Sequence, residues 1–416
     1  MREKSTVDLL GKIFGHYYRE NAAEIKPPKS IASREFGFMF FKEGIMLRHK
    51  SFGKAHELIQ FIKSRAPANI YYSSAYYKNP KEEMDNKNWV GADLVFDIDA
   101  DHIQKSCTKD HRYWVCKECS YVSKVKNECS QCGSKKFDEE VWICEECLKA
   151  ARDETVEVRD ILLNDLGFSM NEIDVFFSGQ RGYHIHVENE RIRYLDRNGR
   201  QEIADFVYGV GVNPLYLGFP YRDEKGRKLT SVVLDTNARG WKGRMTRQFI
   251  EWFYSLPLKE FAKIYDVDEN SREIAKLKQE LVEKWTAVRK VLPVTTASQK
   301  FFRLFDKFWE EGKFEERTEI DTVVTTDIHR LIRLPMTLHG KTGFQASKIQ
   351  TNKVEDFDPL KDAVAFKKEF MTVFVNESMP LRIGDNEIRA FKKEKVELPL
   401  AAAVFLLCKK VAQPID

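Results

Sequence analysis

Apolar and polar positions between Arg34 and Phe40, and between Gly44 and Arg48, have the texture of two strands of a hairpin, and Ala55 to Arg65 reads as an intervening helix. The run Leu94-Val95-Phe96-Asp97-Ile98-Asp99 predicts a further strand. Alternate side chains of a strand share a face, so Leu94, Phe96 and Ile98 enter a core while Asp97 and Asp99 project together from the other side. Beyond a cysteine-rich stretch, Asp153 to Leu166 predicts an amphipathic helix. Ile173 to Phe177 and Tyr183 to Val187 predict two strands joined by a glycine-containing turn. Arg244 to Tyr254 reads as helix, and so does Asn270 to Leu292, through Ile274, Leu277, Leu281, Trp285 and Val288. Strand-and-turn texture returns at Glu319 to Val324, Leu331 to Leu338 and Met371 to Val375. The pattern predicts an α/β core that is discontinuous in sequence, with a helical insertion.

Length and charge narrow this only a little. A chain of 416 residues has room for two or three domains and a substantial core. Its 68 basic against 64 acidic residues leave +4, so any affinity for nucleic acid must rest on local sites. The longest apolar run, Leu398 to Cys408, is interrupted by Pro399 and stopped by Lys409 and Lys410, too short to cross a bilayer. It predicts a buried or partner-facing helix, and internal packing is the simpler use. Met1 to Tyr18 mixes charges with apolar residues and has no continuous apolar stretch, so a cytoplasmic location and no membrane association are expected.

Seven of the eight cysteines lie between residues 107 and 147. Cys116-x2-Cys119 and Cys129-x2-Cys132 are two knuckles nine residues apart, a spacing that can close a tetrahedral Zn(II) site. Cys144-x2-Cys147 is a third knuckle, for which Cys107 and His111 are the upstream candidates; His111 otherwise reads as a solvated histidine. The first site would be nested inside the second. Neither carries an open catalytic signature, so both are expected to be structural.

Three segments carry candidate chemistry. Asp97 and Asp99 offer hard oxygen ligands suited to Mg(II) or Mn(II). In Ser178-Gly179-Gln180-Arg181-Gly182-Tyr183-His184, glycines let backbone N–H groups approach an anion while Arg181 and His184 supply charge-assisted donors, the makings of a polyphosphate cradle. The stretch from Asp321 through Arg330, Arg333, His339 and Lys341 sets cations among apolar anchors.

Together these segments resemble the catalytic small subunit of archaeal and eukaryotic DNA primase, the archaeal branch in particular, over most of the chain. Phe96-Asp97-Ile98-Asp99 resembles the family's paired metal carboxylates. Ser178 to His184 resembles its Ser-Gly-Arg-Arg-Gly-x-His element, with Gln180 departing from the pattern. Arg333-Leu334-Pro335 with His339 resembles its late nucleotide-binding element. By the same resemblance Asp321 stands where the third carboxylate belongs, with Asp327 as the near rival. Glu35 and Arg48 come to the cleft edge, and Cys107, His111, Cys144 and Cys147 match the zinc motif, with Cys116, Cys119, Cys129 and Cys132 as a ribbon inserted within it.

The resemblance implies an archaeo-eukaryotic primase core of mixed sheets flanked by helices, with an inserted zinc motif and a smaller helical domain. The implied division is core at 1–103, 151–237 and 316–416, zinc insertion at 104–150 and helical subdomain at 238–315. It also implies de novo synthesis of short RNA, and in some members DNA, primers on single-stranded DNA. Asp97, Asp99 and Asp321 would hold the catalytic Mg(II) or Mn(II); Ser178, Arg181, His184, Arg333, His339, Glu35 and Arg48 would bind the nucleoside triphosphate. The implied partner is a large subunit carrying an iron–sulfur cluster. Two other readings remain: a repair or gap-filling polymerase of the same superfamily, and a zinc-ribbon nucleic-acid-binding module without catalysis.

Overall fold

The computed structural model describes residues 2–101, 103, 111–214, 217, 219, 232–268, 272, 275–276, 278–279, 291–294, 299–310, 318, 320–367 and 369–415. The chain divides into two compact units, one made of Met1–Arg159, Ser169–Ala204 and Glu319–Asp416, the other of Asp160–Phe168 and Asp205–Thr318. The architecture is mixed α/β with several antiparallel sheets and a four-cysteine cluster. No helix among the described residues is long and apolar enough to cross a membrane.

Two four-stranded sheets organise the first unit. One runs Leu331–Arg333, Asn69–Ser73, Phe36–Met39, Leu47–Lys50; the other runs Lys348–Ile349, Ile173–Phe177, Gly182–Val187, Leu94–Asp99, with every neighbouring pair antiparallel. In the strand Leu94–Asp99 the expected alternation is present: Leu94, Phe96 and Ile98 are fully buried, and Asp97 and Asp99 share the opposite face with Val95. The two sheets meet at Tyr72, whose hydroxyl lies 3.2 Å from Nδ1 of His186.

Buried polar groups fix the approach to that strand. Arg34 donates to the carbonyls of Ser73 (2.9 Å) and Ser74 (2.6 Å), pairs with Asp93 at 2.6 Å, and stacks 3.7 Å from the ring centre of Tyr76. Tyr76 donates to the same carboxylate at 2.7 Å, and Arg200 donates to the carbonyls of Ala92 and Asp93. Burial raises the Asp93 pKa, opposed by Arg34. A buried charge this fully hydrogen-bonded sets the position of the next residue, Leu94, and so the register of the carboxylates beyond it.

A third sheet, Lys392–Pro399, Phe370–Glu377 and Ala412–Pro414, carries the helix Leu400–Cys408, all nine of whose residues are buried, so this apolar run is core. The second unit packs the helices Gly240–Ser255, Leu258–Tyr265 and Gln299–Glu310 through Phe249, Phe305, Phe308 and Phe261.

Several elements differ from the sequence pattern. Residues Arg2–Asn21 form a helix whose buried Leu10, Phe14, Tyr17 and Tyr18 lie on one face. The helix expected from Asp153 begins at Glu145, with Cys147, Leu148 and Ala151 already on its buried face. Val291 and Leu292, expected at the end of a helix, lie in the strand Val291–Val294 paired with Val232–Asp235; Pro293 disfavours helical geometry before it. Most of the stretch 270–290 lies outside the described residues. The stretch after Asp321, expected as strand and turn, is the short helix Thr322–Thr326, because Asp321 caps it: its side chain accepts from the Val323 amide at 3.0 Å.

Candidate active site

The strand Leu94–Asp99 sets Asp97 opposite His184, and Asp99 opposite Gly182, across an antiparallel ladder. Asp321 is brought to the same place by its backbone: its amide donates to the Asp97 carbonyl at 2.9 Å. The rival Asp327 ends the capped helix and accepts from the His329 amide at 2.9 Å, on the side of Tyr77, whose hydroxyl lies 3.0 Å from Nδ1 of His329. Asp101 takes both terminal nitrogens of Arg181 at 2.6 Å each. Burial raises the Asp99 pKa, with Asp101 and Asp97 adding to the rise and Arg181 opposing it. Among the described residues, only the cysteine clusters gather three or more candidate ligand atoms within 4.8 Å. Asp97 and Asp99 share one face of their strand, and the backbone bond from Asp321 to Asp97 brings the third carboxylate residue beside them.

The turn between the next two strands is closed by Ser178, whose Oγ accepts from the amides of Gln180 (3.3 Å) and Gly182 (3.2 Å). Gly179 has φ +83°, and a Cβ there would stand 2.9 Å from Cβ of His339, so the turn lies directly against the loop that carries His339. The Thr342 hydroxyl donates to the Gly179 carbonyl and ties the two together. A Cβ on Gly182 would stand 2.6 Å from the Ile98 carbonyl oxygen. Gly182→Ala is therefore expected to lower stability by about 1–3 kcal/mol by forcing this strand away from the carboxylate strand. Thermal unfolding reads the loss, and an unchanged midpoint would mean the ladder yields at no cost. His184 Nδ1 is buried with no hydrogen-bond partner among the described residues, 3.6 Å from the Asp97 carboxylate.

Arg333 donates to Oδ1 of Asn69 (2.8 Å) and to the Tyr71 hydroxyl (3.0 Å), with its guanidinium 4.8 Å from the centre of the Tyr71 ring. Asn69 Oδ1 also accepts from the Gly340 amide, so one side chain sets both the arginine and the following loop. His339 is buried, and burial together with Arg333, Lys409, Lys341 and Arg181 holds its pKa well below the usual histidine range. Its Nδ1 accepts from the Lys341 amide at 3.1 Å, so the proton of the neutral ring is on Nε2, available as a donor.

Arg48 lies on the edge strand Leu47–Lys50, opposite the edge strand that carries Arg333, and Glu35 directly precedes the inner strand Phe36–Met39. Arg48 is partly exposed and reaches both oxygens of Glu35, at 3.1 and 3.3 Å. Glu35, expected at the cleft edge, is wholly buried beneath Arg48, because Lys87 pairs with it from the interior.

Cys116, Cys119, Cys129 and Cys132 close on one another, with Sγ to Sγ distances of 3.6 Å for both the 116–132 and 119–129 pairs. Four sulfurs about 2.3 Å from a tetrahedral zinc ion stand about 3.8 Å apart, so the cluster fits zinc. It sits at one end of the small sheet Val122–Ser123, Arg112–Cys116, Phe137–Val141. His111, Cys144 and Cys147 form a second group, with His111 Nδ1 3.6 Å from Cys147 Sγ and the Cys147 amide donating to Cys144 Sγ. Cys107, the expected fourth ligand, lies outside the described residues.

A family model described as DNA primase small subunit matches residues 134–351. The chain is 31% identical to the DNA primase small subunit of Methanothrix thermoacetophila over 427 aligned positions, covering 99% of each. It belongs to the DNA primase small subunit family. The corresponding proteins of Nitrosopumilus maritimus (29% identity, 98% of this chain and 99% of theirs) and Methanococcoides burtonii (31%, 96% of each) are similar over the same extent. The protein is thus the catalytic subunit of a DNA primase, a nucleotidyltransferase.

Three residues beside the candidate site carry little signal in the sequence. Asn69 and Tyr71, which hold Arg333, lie in the strand Asn69–Ser73. Lys409 is fully buried, donates to the Val141 carbonyl at 2.7 Å, and its pKa falls to about 8 through burial. Only the end of the apolar run marked it, since a lysine directly after a buried helix must find an acceptor or reach water.

Proposed function

We propose that this primase subunit makes short primers de novo on single-stranded DNA from nucleoside triphosphates, with Asp97, Asp99 and Asp321 as the carboxylates that hold the catalytic Mg(II) or Mn(II). The observation that carries the reading is the hydrogen bond from the Asp321 amide to the Asp97 carbonyl, which joins a remote carboxylate to the strand pair beside His184 and the turn from Ser178. The donor set is all carboxylate oxygen, which suits these hard ions. The chemistry such a metal would supply, held by these carboxylates, is Lewis-acid activation of the 3′-hydroxyl and charge neutralisation at the leaving pyrophosphate.

The rest of the site is assigned to the triphosphate. His339 donates from Nε2 as a neutral group, and Arg333, braced by Asn69 and Tyr71, presents fixed positive charge. Ser178 shapes the turn, Arg181 is held by Asp101, and His184 stands between Asp97 and the turn. Arg48, backed by Glu35, offers a further cation to the nucleotide.

The finer fold is that of the archaeo-eukaryotic primase core, interrupted by the zinc-binding stretch at 104–150 and the helical subdomain at 238–315. A small subunit implies a large-subunit partner, and free thiols organised for zinc suit the reducing cytoplasm.

Incubating the purified chain, alone and with its large subunit, on unprimed single-stranded template with Mg(II) or Mn(II) and labelled triphosphates tests the reading. Short labelled products are expected. Products formed only when a primer is supplied would identify an extending polymerase, and none under any condition would leave a binding module.

A further inference from the structure

One pair of buried opposite charges lies outside the roles assigned so far. Lys87 and Glu35 are both fully buried and directly ion-paired, within a chain that has ample surface for solvated pairs. Lys87 follows the short turn Met84–Asn86, and its ammonium lies 5.1 Å from the centre of the Tyr77 ring, so apolar and aromatic surface screens it from water.

The Glu35 carboxylate is saturated. It accepts from Lys87, from Nε and Nη2 of Arg48, and from the His49 amide at 3.1 Å. His49 reaches it from a left-handed backbone conformation (φ +59°), and its ring Nδ1 stands 3.6 Å from the same oxygen. Against the cost of burial, Lys87, Arg48 and the His49 amide hold Glu35 ionised.

Lys87 and Arg48 are two cations and Glu35 one anion, so the cluster carries one excess positive charge. Lys87 is sealed in the interior, whereas the Arg48 side chain is 39% exposed. Arg48 spends Nε and Nη2 on Glu35, and its Nη1 has no protein partner among the described residues. With Lys87 absent, Glu35 would hold Arg48 in place equally well but cancel its charge.

We propose that Lys87 is a positioning residue of this site: by neutralising Glu35 from within, it leaves the charge of the tethered Arg48 uncompensated for an anionic ligand, the triphosphate of a nucleotide. This rests on the reading above that Arg48 meets the nucleotide. The cluster also leads toward the segment of the third carboxylate, through the Tyr77 hydroxyl to His329 and from the His329 amide to Asp327.

The test is steady-state incorporation on a primed template, resolving KM for the triphosphate from kcat, in the full chain with its large subunit. Lys87→Met is expected to raise KM about tenfold with kcat changed less than about threefold, because one charge-assisted contact is weakened and the metal-binding carboxylates are untouched. The double variant Lys87→Met with Glu35→Gln restores the excess charge on Arg48 and is expected to bring KM back to within about threefold of the parent. A purely structural role for Lys87 would lower the thermal midpoint and kcat along with any rise in KM.

Unchanged KM in Lys87→Met overturns the proposal, and so does a double variant as impaired as the single one. Should Lys87→Met fail to fold, Lys87→Gln, which keeps a donor to Glu35 but not the charge, is measured instead: KM is expected to rise about tenfold, and an unchanged KM overturns the proposal. Arg48→Ala separates the two levels. A silent Arg48→Ala removes the nucleotide contact itself, whereas a raised KM there beside a silent Lys87→Met removes only the role of Lys87.

Discussion

Replacing Asp97 or Asp99 by alanine is expected to lower nucleotide incorporation by at least about a thousandfold, since metal stabilisation of the transition state is worth several kcal/mol and each 1.36 kcal/mol is about a factor of ten. Folding should survive. The strand is held by Leu94, Phe96 and Ile98 on its other face and by the ladder to Gly182–Val187, neither of which involves the carboxylates. Asp99 is partly desolvated, with its pKa raised by burial, so removing its charge relieves the fold of a cost. Asp321 calls for a different substitution, because its side chain also caps the helix Thr322–Thr326. Asp321→Ala combines loss of activity with about 1 kcal/mol of lost cap, whereas Asp321→Asn keeps a capping oxygen and isolates the charge. Primed-template incorporation, thermal unfolding and template-binding anisotropy on the same samples separate these effects. Activity within tenfold of the parent, or activity and folding lost in parallel, would make these carboxylates structural.

Cys116→Ser is expected to remove one zinc ion per chain and to melt the small sheet Arg112–Cys116, Val122–Ser123 and Phe137–Val141 while the two large sheets persist. This sheet has few buried apolar side chains besides Tyr113 and Val115, so zinc held by the four cysteines is expected to supply its stability, on the order of 10–16 kcal/mol in isolated zinc modules at neutral pH. The consequence reaches beyond the ribbon. Tyr113 donates to the Lys409 carbonyl, the Lys409 ammonium donates to Val141, and Lys410 pairs with Asp138. Melting the sheet releases Lys409, whose charge bears on His339, so a moderate rise in KM for the triphosphate should accompany the loss of zinc. Zinc quantification should return about two ions in the parent and one in the variant. Amide exchange should show protection lost between Arg112 and Val141. One ion in the parent would mean that the group of His111, Cys144 and Cys147 does not close, and retained protection in the variant would mean the sheet stands without metal.

Much of the scaffold was legible because its signals are local. The alternation of Leu94–Asp99 reads directly as one face of Leu94, Phe96 and Ile98 and an opposite face with Asp97 and Asp99, and the apolar runs at Ile173–Phe177 and Gly182–Val187 read as strands. The spacing of Cys116, Cys119, Cys129 and Cys132 specifies a tetrahedral donor set through the reach of short loops alone. The helix Arg2–Asn21 carried an equally local signal in Leu10, Phe14, Tyr17 and Tyr18, masked by the charges scattered among them. The capped helix after Asp321 was harder, because Thr and Val there favour strand and one side-chain hydrogen bond reverses the preference.

Sequence alone therefore determined which side chains share a face, which cysteines can bind one ion, and which residue types are present to meet a phosphate. The tertiary structure decided that Asp321 rather than Asp327 lies against Asp97, that Asp101 is committed to Arg181, and that Glu35 is buried between a hidden lysine and an exposed arginine. The division has a physical cause. Periodicity and short loops act between residues near in the chain, whereas charge compensation depends on separation in space and on access to water, which exist only once the sheets have come together.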